Sequence, residues 1–467
     1  MKLRHLIYPL AAAILTGLAV TSCVHDAESE PSVPVTPPNS SDELTATITL
    51  DITAAPIGGT SRGEYFDDSE ITESAASANE LIQEWLVAFV KDGTVCAVVE
   101  GKPGSGGTSA AAGVWNDRVS LDLPKGKYSA VAFANMIDDN LREAWTEGTT
   151  LASAWKDTRY TTSTTAITST SKVPMSGYLK EFEVKGTVNE TFAIEVVRML
   201  AKVEYAVKNL SASQVRVNSF AITPVYDGDI YLFPEYDKKP KPNEKPAYEP
   251  RFPAMTDGLS HYGTRTETAR AGFVLEAGSP NIERGNFYIK ESIAKGNHPT
   301  DHFHIGLNIT RGGVGEEVTY ALADDELKYF YRNDYVLFPI VISDYTPELE
   351  VFDYPPIGGY PVNVESNGTE FYATFSSSGA FDILARLRDS QGRTKYLPVY
   401  DETNPQAEYV RYVESEPANF PLTYNAAENV WQADFNQGTN QRIVLKFEFK
   451  IGRLVYTRTL SLLSNKR

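Results

Sequence analysis

Along most of this chain apolar and polar residues alternate with a period of two, the spacing at which successive side chains of a β-strand point to opposite faces. In ELTATITLDI, Leu44, Ala46, Ile48, Leu50 and Ile52 fall on one face. The same period recurs in EWLVAFV, YSAVAFA, TFAIEVV, AKVEYAV, HFHIGLNI and YVLFPIVI, with Gly, Pro, Asn and Asp clusters between the runs. Helical patterns are few and short, as in SAASANELIQEW and ADDELKYF. The pattern predicts an all-β protein of tandem β-sandwich domains.

Three irregular stretches mark joints or long loops. They are EGKPGSGGTSAAAG at residues 100–113, the Pro- and Lys-rich stretch at 233–253, and DYPPIGGYP at 353–361. They divide the folded chain into an N-terminal sandwich at 44–195, a second sandwich at 196–352 and a small C-terminal β module at 353–467. In the terminal pair of that module, Ile443, Leu445, Phe447, Phe449 and Ile451 alternate with Val444, Lys446, Glu448 and Lys450, which predicts one buried and one wet face.

Ahead of the first strand the pattern changes. Lys2 and Arg4 precede an apolar run at residues 6–20, and the small residues Thr21 and Ser22 follow. This is a signal peptide at 1–22, too short and wrongly flanked for a membrane span. Val20-Thr21-Ser22-Cys23 resembles a bacterial lipobox, which implies cleavage before Cys23 and acylation of its thiol; the competing reading is an ordinary signal with a chance cysteine. Cys96 is the one other cysteine, so no disulfide framework is expected. Residues 23–43, with Asp26, Glu28, Glu30 and four prolines, have no apolar face and form an extended tether. Acidic residues after an acylated cysteine resemble the export signal of surface lipoproteins in bacteria with an outer membrane.

Charge narrows the partners. Removing Lys2 and Arg4 with the signal leaves 41 basic against 61 acidic residues, a net charge near −20. Such a surface repels phosphate backbones and anionic headgroups, so nucleic acid is not an expected partner.

The order of several short runs carries a family resemblance over most of residues 44–350. A lipoprotein signal, a first strand, an Arg-containing loop, then VVRMLAKVEYAV, NFYIKES and FYRNDYVLFPIVI resemble the fimbrillin superfamily of lipoprotein-derived fimbrial subunits. Arg198, Ala201, Lys202 and Val203 match its R-x-x-A-K-V run, and Arg332, Asn333 and Tyr335 its R-N-x-Y run. The resemblance implies two sandwich domains, other fimbrial subunits as partners, and a role in adhesion to host or microbial surfaces. It also implies removal of the first strand by an Arg-directed protease, after which another subunit's strand fills the exposed groove. The removable strand is then Leu44, Ala46, Ile48, Leu50 and Ile52 with their neighbours, and the cleavage candidate is Arg62 in the Gly- and Ser-rich loop PIGGTSRGEYF. The C-terminal extension departs from a plain shaft subunit and resembles accessory, anchor or tip members. An anchor keeps lipid and first strand; a tip accepts a strand and need not lend one.

Catalytic and metal readings are weaker. His298, His302 and His304 with Asp301 include an H-x-H pair, but no second ligand cluster accompanies it, and no metal or cofactor is expected. The doublets Asp67-Asp68, Asp138-Asp139 and Asp324-Asp325 are what an acid-rich chain places in loops. YDGDIYLFPEYD lacks the spacing of a calcium loop, GKPGSGG lacks the end of a phosphate loop, and no serine stands in a G-x-S-x-G elbow. Cys96, between Val95 and Ala97, reads as an apolar filler. No enzymatic activity is expected. A second reading is a monomeric glycan-binding lipoprotein of the outer membrane, with Trp85, Trp115, Trp145, Trp155 and Trp431 as sugar platforms, although Trp85 and Trp431 lie in alternating runs that predict core packing.

Overall fold

The computed structural model describes residues 45–55, 58–61, 78–103, 114, 116–162, 171–187, 189–233, 261–268, 272–294, 302–322, 327–354, 360–439 and 442–465. Cys23, Leu44, Arg62, Trp115, His298 and Asp301, with the signal and tether, lie outside these residues.

The first strands are β1 (Thr45–Ala54), β2 (Gly58–Ser61), β3 (Trp85–Lys91), β4 (Thr94–Gly101), β5 (Asn116–Pro124), β6 (Gly126–Ala134), β7 (Met175–Val184) and β8 (Glu190–Arg198). All but β2 form one seven-stranded sheet in the order β4-β3-β6-β7-β8-β1-β5. The sheet turns a corner where β7 and β8 share only two residue pairs, Met175↔Arg198 and Ser176↔Val197. Backbones nearly touch there: a Cβ on Gly177 would lie 2.2 Å from the carbonyl oxygen of Glu195, so the corner needs glycine. The two halves then face each other across a core of Ile48, Leu50, Ile52, Val87, Phe89, Ile194 and Val196.

The half-sheet around β3 is buried on both faces. Trp85, Val87 and Phe89 enter the first core, while Leu86, Ala88 and Val90 enter a second one with Phe133, Met199, Leu200, Tyr226, Phe233, Tyr288 and Tyr331. EWLVAFV is therefore a strand sealed between two apolar layers rather than one with a wet face.

The next strands are β9 (Ala201–Asn209), β10 (Val215–Tyr226), β11 (Ile282–Ile289), β12 (His304–Arg311), β13 (Val314–Tyr320) and β14 (Asp334–Ile342). They are followed by β15 (Thr346–Tyr354), β16 (Glu370–Phe375), β17 (Gly379–Arg388), β18 (Tyr409–Glu416), β19 (Val430–Phe435), β20 (Arg442–Ile451) and β21 (Leu454–Ser464). One four-stranded sheet has the order β11-β9-β14-β2, so the stretch after β1 crosses over to pair with β14. A second sheet runs without interruption from β10 through β12 and β13 to β21 and β16. β15 pairs over its whole length with β17, and a single apolar cluster extends from Ala201 to Leu462. Strand β21 is paired along both edges, by β20 on one side and by β13 and then β16 on the other.

Two helical expectations differ from the structure. SAASANELIQEW yields, among the described residues, only a 3-10 turn at Ala78–Glu80, because Asn79 and Glu80 are buried and held by side chains from other strands. ADDELKYF ends as a two-residue strand, Tyr329–Phe330, paired to Ser292–Ile293. The one α-helix described is α1 (Asp139–Ala144), whose N-cap Asp138 accepts from the Leu141 N–H at 2.8 Å.

Candidate functional site

Strand β1 is an inner strand, parallel to β8 from Ile48↔Glu190 to Ala54↔Val196 and antiparallel to β5 from Thr45↔Pro124 to Thr53↔Asn116. Ala46, Ile48, Leu50, Ile52 and Ala54 are 0–3 % exposed. Fully burying an Ile or Leu side chain stabilises by about 1.5–3 kcal/mol, so this face fills a continuous apolar groove. The other face is polar. The Thr47 hydroxyl donates to Asp122 at 2.6 Å, Thr49 and Ser120 hydroxyls meet at 3.2 Å, and Arg118 Nε donates to Asp51 at 2.6 Å. Without β1, the groove and the facing backbone groups of β8 and β5 would lie open.

Directly after β1, a buried polar node fixes the chain. Arg198, at the end of β8, donates Nη1 to the Ala55 carbonyl at 2.7 Å and to Asn333 Oδ1 at 2.9 Å. Its Nε and Nη2 donate to the Glu80 carbonyl at 3.0 and 2.6 Å. The Glu80 carboxylate faces Lys202 Nζ at 3.0 Å and accepts from the Tyr288 hydroxyl at 2.6 Å. Glu80, Arg198 and Lys202 are all buried. Burial, then the Glu80 charge, pushes the Tyr288 hydroxyl well above the ordinary tyrosine range; burial lowers the Arg198 pKa, opposed by Glu80.

The node joins two runs that lie far apart in the sequence. Arg198 of VVRMLAKV meets Asn333 of FYRNDY, and Lys202 Nζ sits 5.8 Å from the Tyr335 ring centre. Asn333 has φ +61°, a left-handed backbone that Asn tolerates, and its N–H donates to Leu200 O at 2.9 Å. Arg332, also buried, pairs with Glu291 at 2.8 Å and donates to Tyr231 O at 2.7 Å. Nothing in NELIQEW marked Glu80 as a partner, because its cations lie more than a hundred residues away; the signal available was an acid beside an apolar run.

Other singled-out residues do not converge. His304 opens β12, whereas His302 precedes the strand, so the two do not form an in-strand H-x-H face. No group of three or more His, Cys, Asp or Glu that could hold a metal occurs among the described residues. In YDGDIY the carbonyls of Asp227 and Gly228 accept from Lys290 Nζ at 2.7 and 2.8 Å, so a side-chain cation occupies that turn. Asp138 is spent on the helix cap. Cys96 is half-buried on β4, donates to Phe89 O at 3.3 Å, and burial pushes its thiol pKa up to about 11. Trp85, Trp145 and Trp431 are buried, and Trp155 packs edge-on against Trp145 at 5.6 Å. These four do not form an exposed sugar platform.

A family model described as fimbrillin-A associated anchor proteins Mfa1 and Mfa2 matches residues 86–365, more than half of the chain. No curated protein matches. Among solved structures, the tip fimbrial protein Mfa3 from Porphyromonas gingivalis with C-terminal truncation aligns at 12% identity over 63% of this chain and 94% of that one, with a TM-score of 0.40. A fimbrial assembly protein from Parabacteroides distasonis aligns at 13% identity over 76% and 99%, with a TM-score of 0.34. A fimbrilin from Porphyromonas gingivalis W83 aligns at 12% identity over 91% and 99%, with a TM-score of 0.33.

Proposed function

The chain belongs to the family of fimbrillin-A associated anchor proteins Mfa1 and Mfa2 and is an accessory subunit of a cell-surface fimbrium; we propose that it takes the tip-type rather than the lipid-retaining anchor-type role, and joins the fibre by accepting a neighbour's strand in the groove that β1 fills. The carrying observation is β1 itself, an inner strand with a fully buried apolar face that immediately precedes the segment leading to Arg62. Acylation at Cys23 carries the precursor to the outer membrane, and cleavage after Arg62 then releases residues 23–62 with the lipid. Because β2 ends at Ser61, that cut frees β1 from the first sheet and β2 from the edge of β14 together. β21 is locked by pairing on both edges, so this chain receives a strand rather than lending its own last described one. The fibre so built serves adhesion, and the protein's role is structural rather than enzymatic. The three-part division at residues 44–195, 196–352 and 353–467 accompanies this reading, with β15 pairing into the third part.

A lock tests the proposal. Thr49 and Ser120 are directly opposed on β1 and β5, so T49C/S120C, in a Cys96→Ala background, places a disulfide that holds β1 in place. The oxidised chain is expected to reach the cell surface but to stay out of fimbriae, and reductant restores incorporation. Incorporation of the oxidised chain at the wild-type level contradicts strand acceptance.

A further inference from the structure

The strand-acceptor reading leaves open what selects the incoming strand and its direction. The apolar face does not, because Ala46-Ile48-Leu50-Ile52-Ala54 reads the same both ways. The polar edge of β5 is not symmetric. Along it, Asp122 faces Thr47, Ser120 faces Thr49 and Arg118 faces Asp51. A strand inserted backwards would carry its carboxylate to Ser120, beside Asp122, and leave Arg118 facing a threonine.

The edge persists when β1 leaves. Among the described residues β5 has β1 as its only strand neighbour, yet it is pinned from the opposite half of the sandwich at both ends. Trp85 Nε1 donates to Asp117 at 2.6 Å, and the Tyr128 hydroxyl donates to Pro124 O at 2.6 Å. Between these pins Val119 and Leu123 are buried in the core. Trp85 reaches its place because position 101 is glycine: a Cβ there would lie 2.2 Å from the indole ring. The charges of β5 are therefore presented at fixed spacing to whatever enters.

We propose that Arg118 and Asp122 set the direction and register of the incoming strand, and that the partner is a segment of a second fimbrial subunit with five alternating apolar residues, small at both ends, and a carboxylate facing Arg118. This rests on the strand-acceptor reading and specifies its partner. Small end residues are required because Ala46 and Ala54 are already sealed, and larger side chains in a filled core force displacement. Cross-strand charge pairs discriminate modestly, and more at low salt, because Arg118 and Asp51 are partly solvated.

The test uses the full chain with an engineered protease site within residues 62–77. After nicking, labelled ten-residue peptides compete with the retained N-terminal segment. One peptide has the β1 sequence, residues 45–54. A second has Thr49 and Asp51 interchanged (T49D/D51T), with the same composition and apolar face, and a third carries A46L/A54L. The β1 peptide is expected to displace the segment, the interchanged peptide about fivefold less well at low salt, and the enlarged peptide about tenfold less well. In a chain carrying S120R/R118D the order of the first two peptides inverts, since the arginine then faces position 49. Equal displacement by those two peptides in both chains overturns the charge code and leaves strand acceptance standing. Equal displacement by the enlarged peptide overturns the requirement for small ends. Displacement by none of the three overturns strand acceptance, and this proposal with it.

Discussion

Three separate segments converge on Arg198. Its guanidinium binds the chain just after β1, the turn before β3 and the loop before β14, each through a buried bond. Removing one partner of a buried ion network strands the others without compensation, at a cost of about 3–5 kcal/mol. Arg198→Met is therefore expected to lower stability by about that amount in a denaturant titration, with a loss below 1 kcal/mol contradicting the role given to the node. Tyr288 adds a pH dependence. Its folded-state pKa is raised above the ordinary 10.0, by burial first and by Glu80 second. The unfolded chain thus releases this proton at lower pH than the folded one, so the contribution is complete below about pH 10 and is lost as pH rises beyond it. The fall in stability from pH 9 to 11 should be shallower in Tyr288→Phe than in the wild type, and equal slopes would remove Tyr288 from the account. Arg198, Lys202 and Asn333 stood out in the sequence, and Tyr288 lay within the NFYIKES run without being singled out, but Glu80 did not stand out, because a charge partner brought in by the fold leaves no periodic trace.

At the scale of elements, alternation revealed the face of a strand where one side is wet. In β1 the buried set is the one the pattern gave for the residues described, with the threonines and Asp51 outward. For β3, read as a strand from the same period, the pattern did not show that its two faces enter different cores, since a period of two cannot distinguish a half-buried strand from a doubly buried one when Ala and Val fill both faces. Pairing was not legible either: β1 lies parallel to β8, about 140 positions away in the chain, and nothing local encodes such a neighbour. Leu50, at the middle of the groove and fully buried, reports on the element directly. Leu50→Ala is expected to cost about 2–5 kcal/mol in the unnicked chain, measured by thermal or denaturant unfolding. A cost near zero would mean that β1 is not an integral part of the core.

For the whole molecule, an all-β, multi-sheet organisation and membership in a fimbrial family were readable from short ordered runs, whereas the way the C-terminal segment joins was not. β21 continues the sheet of β13 while pairing with β16, and a buried Arg458–Glu316 ion pair at 2.8 Å ties those strands. The result is a chain whose last described strand is committed to its own core and whose first is held by a groove that other strands of the fold keep in shape. The most direct measurement is the intact mass and N-terminal sequence of the protein recovered from fimbriae at the native cell surface, with Cys23→Ala and Arg62→Ala variants alongside. The account predicts a mature chain that begins at Gly63, no mature form from Arg62→Ala, and failure of Cys23→Ala to reach the surface. A fimbrial protein that begins at acylated Cys23 and retains β1 would contradict it.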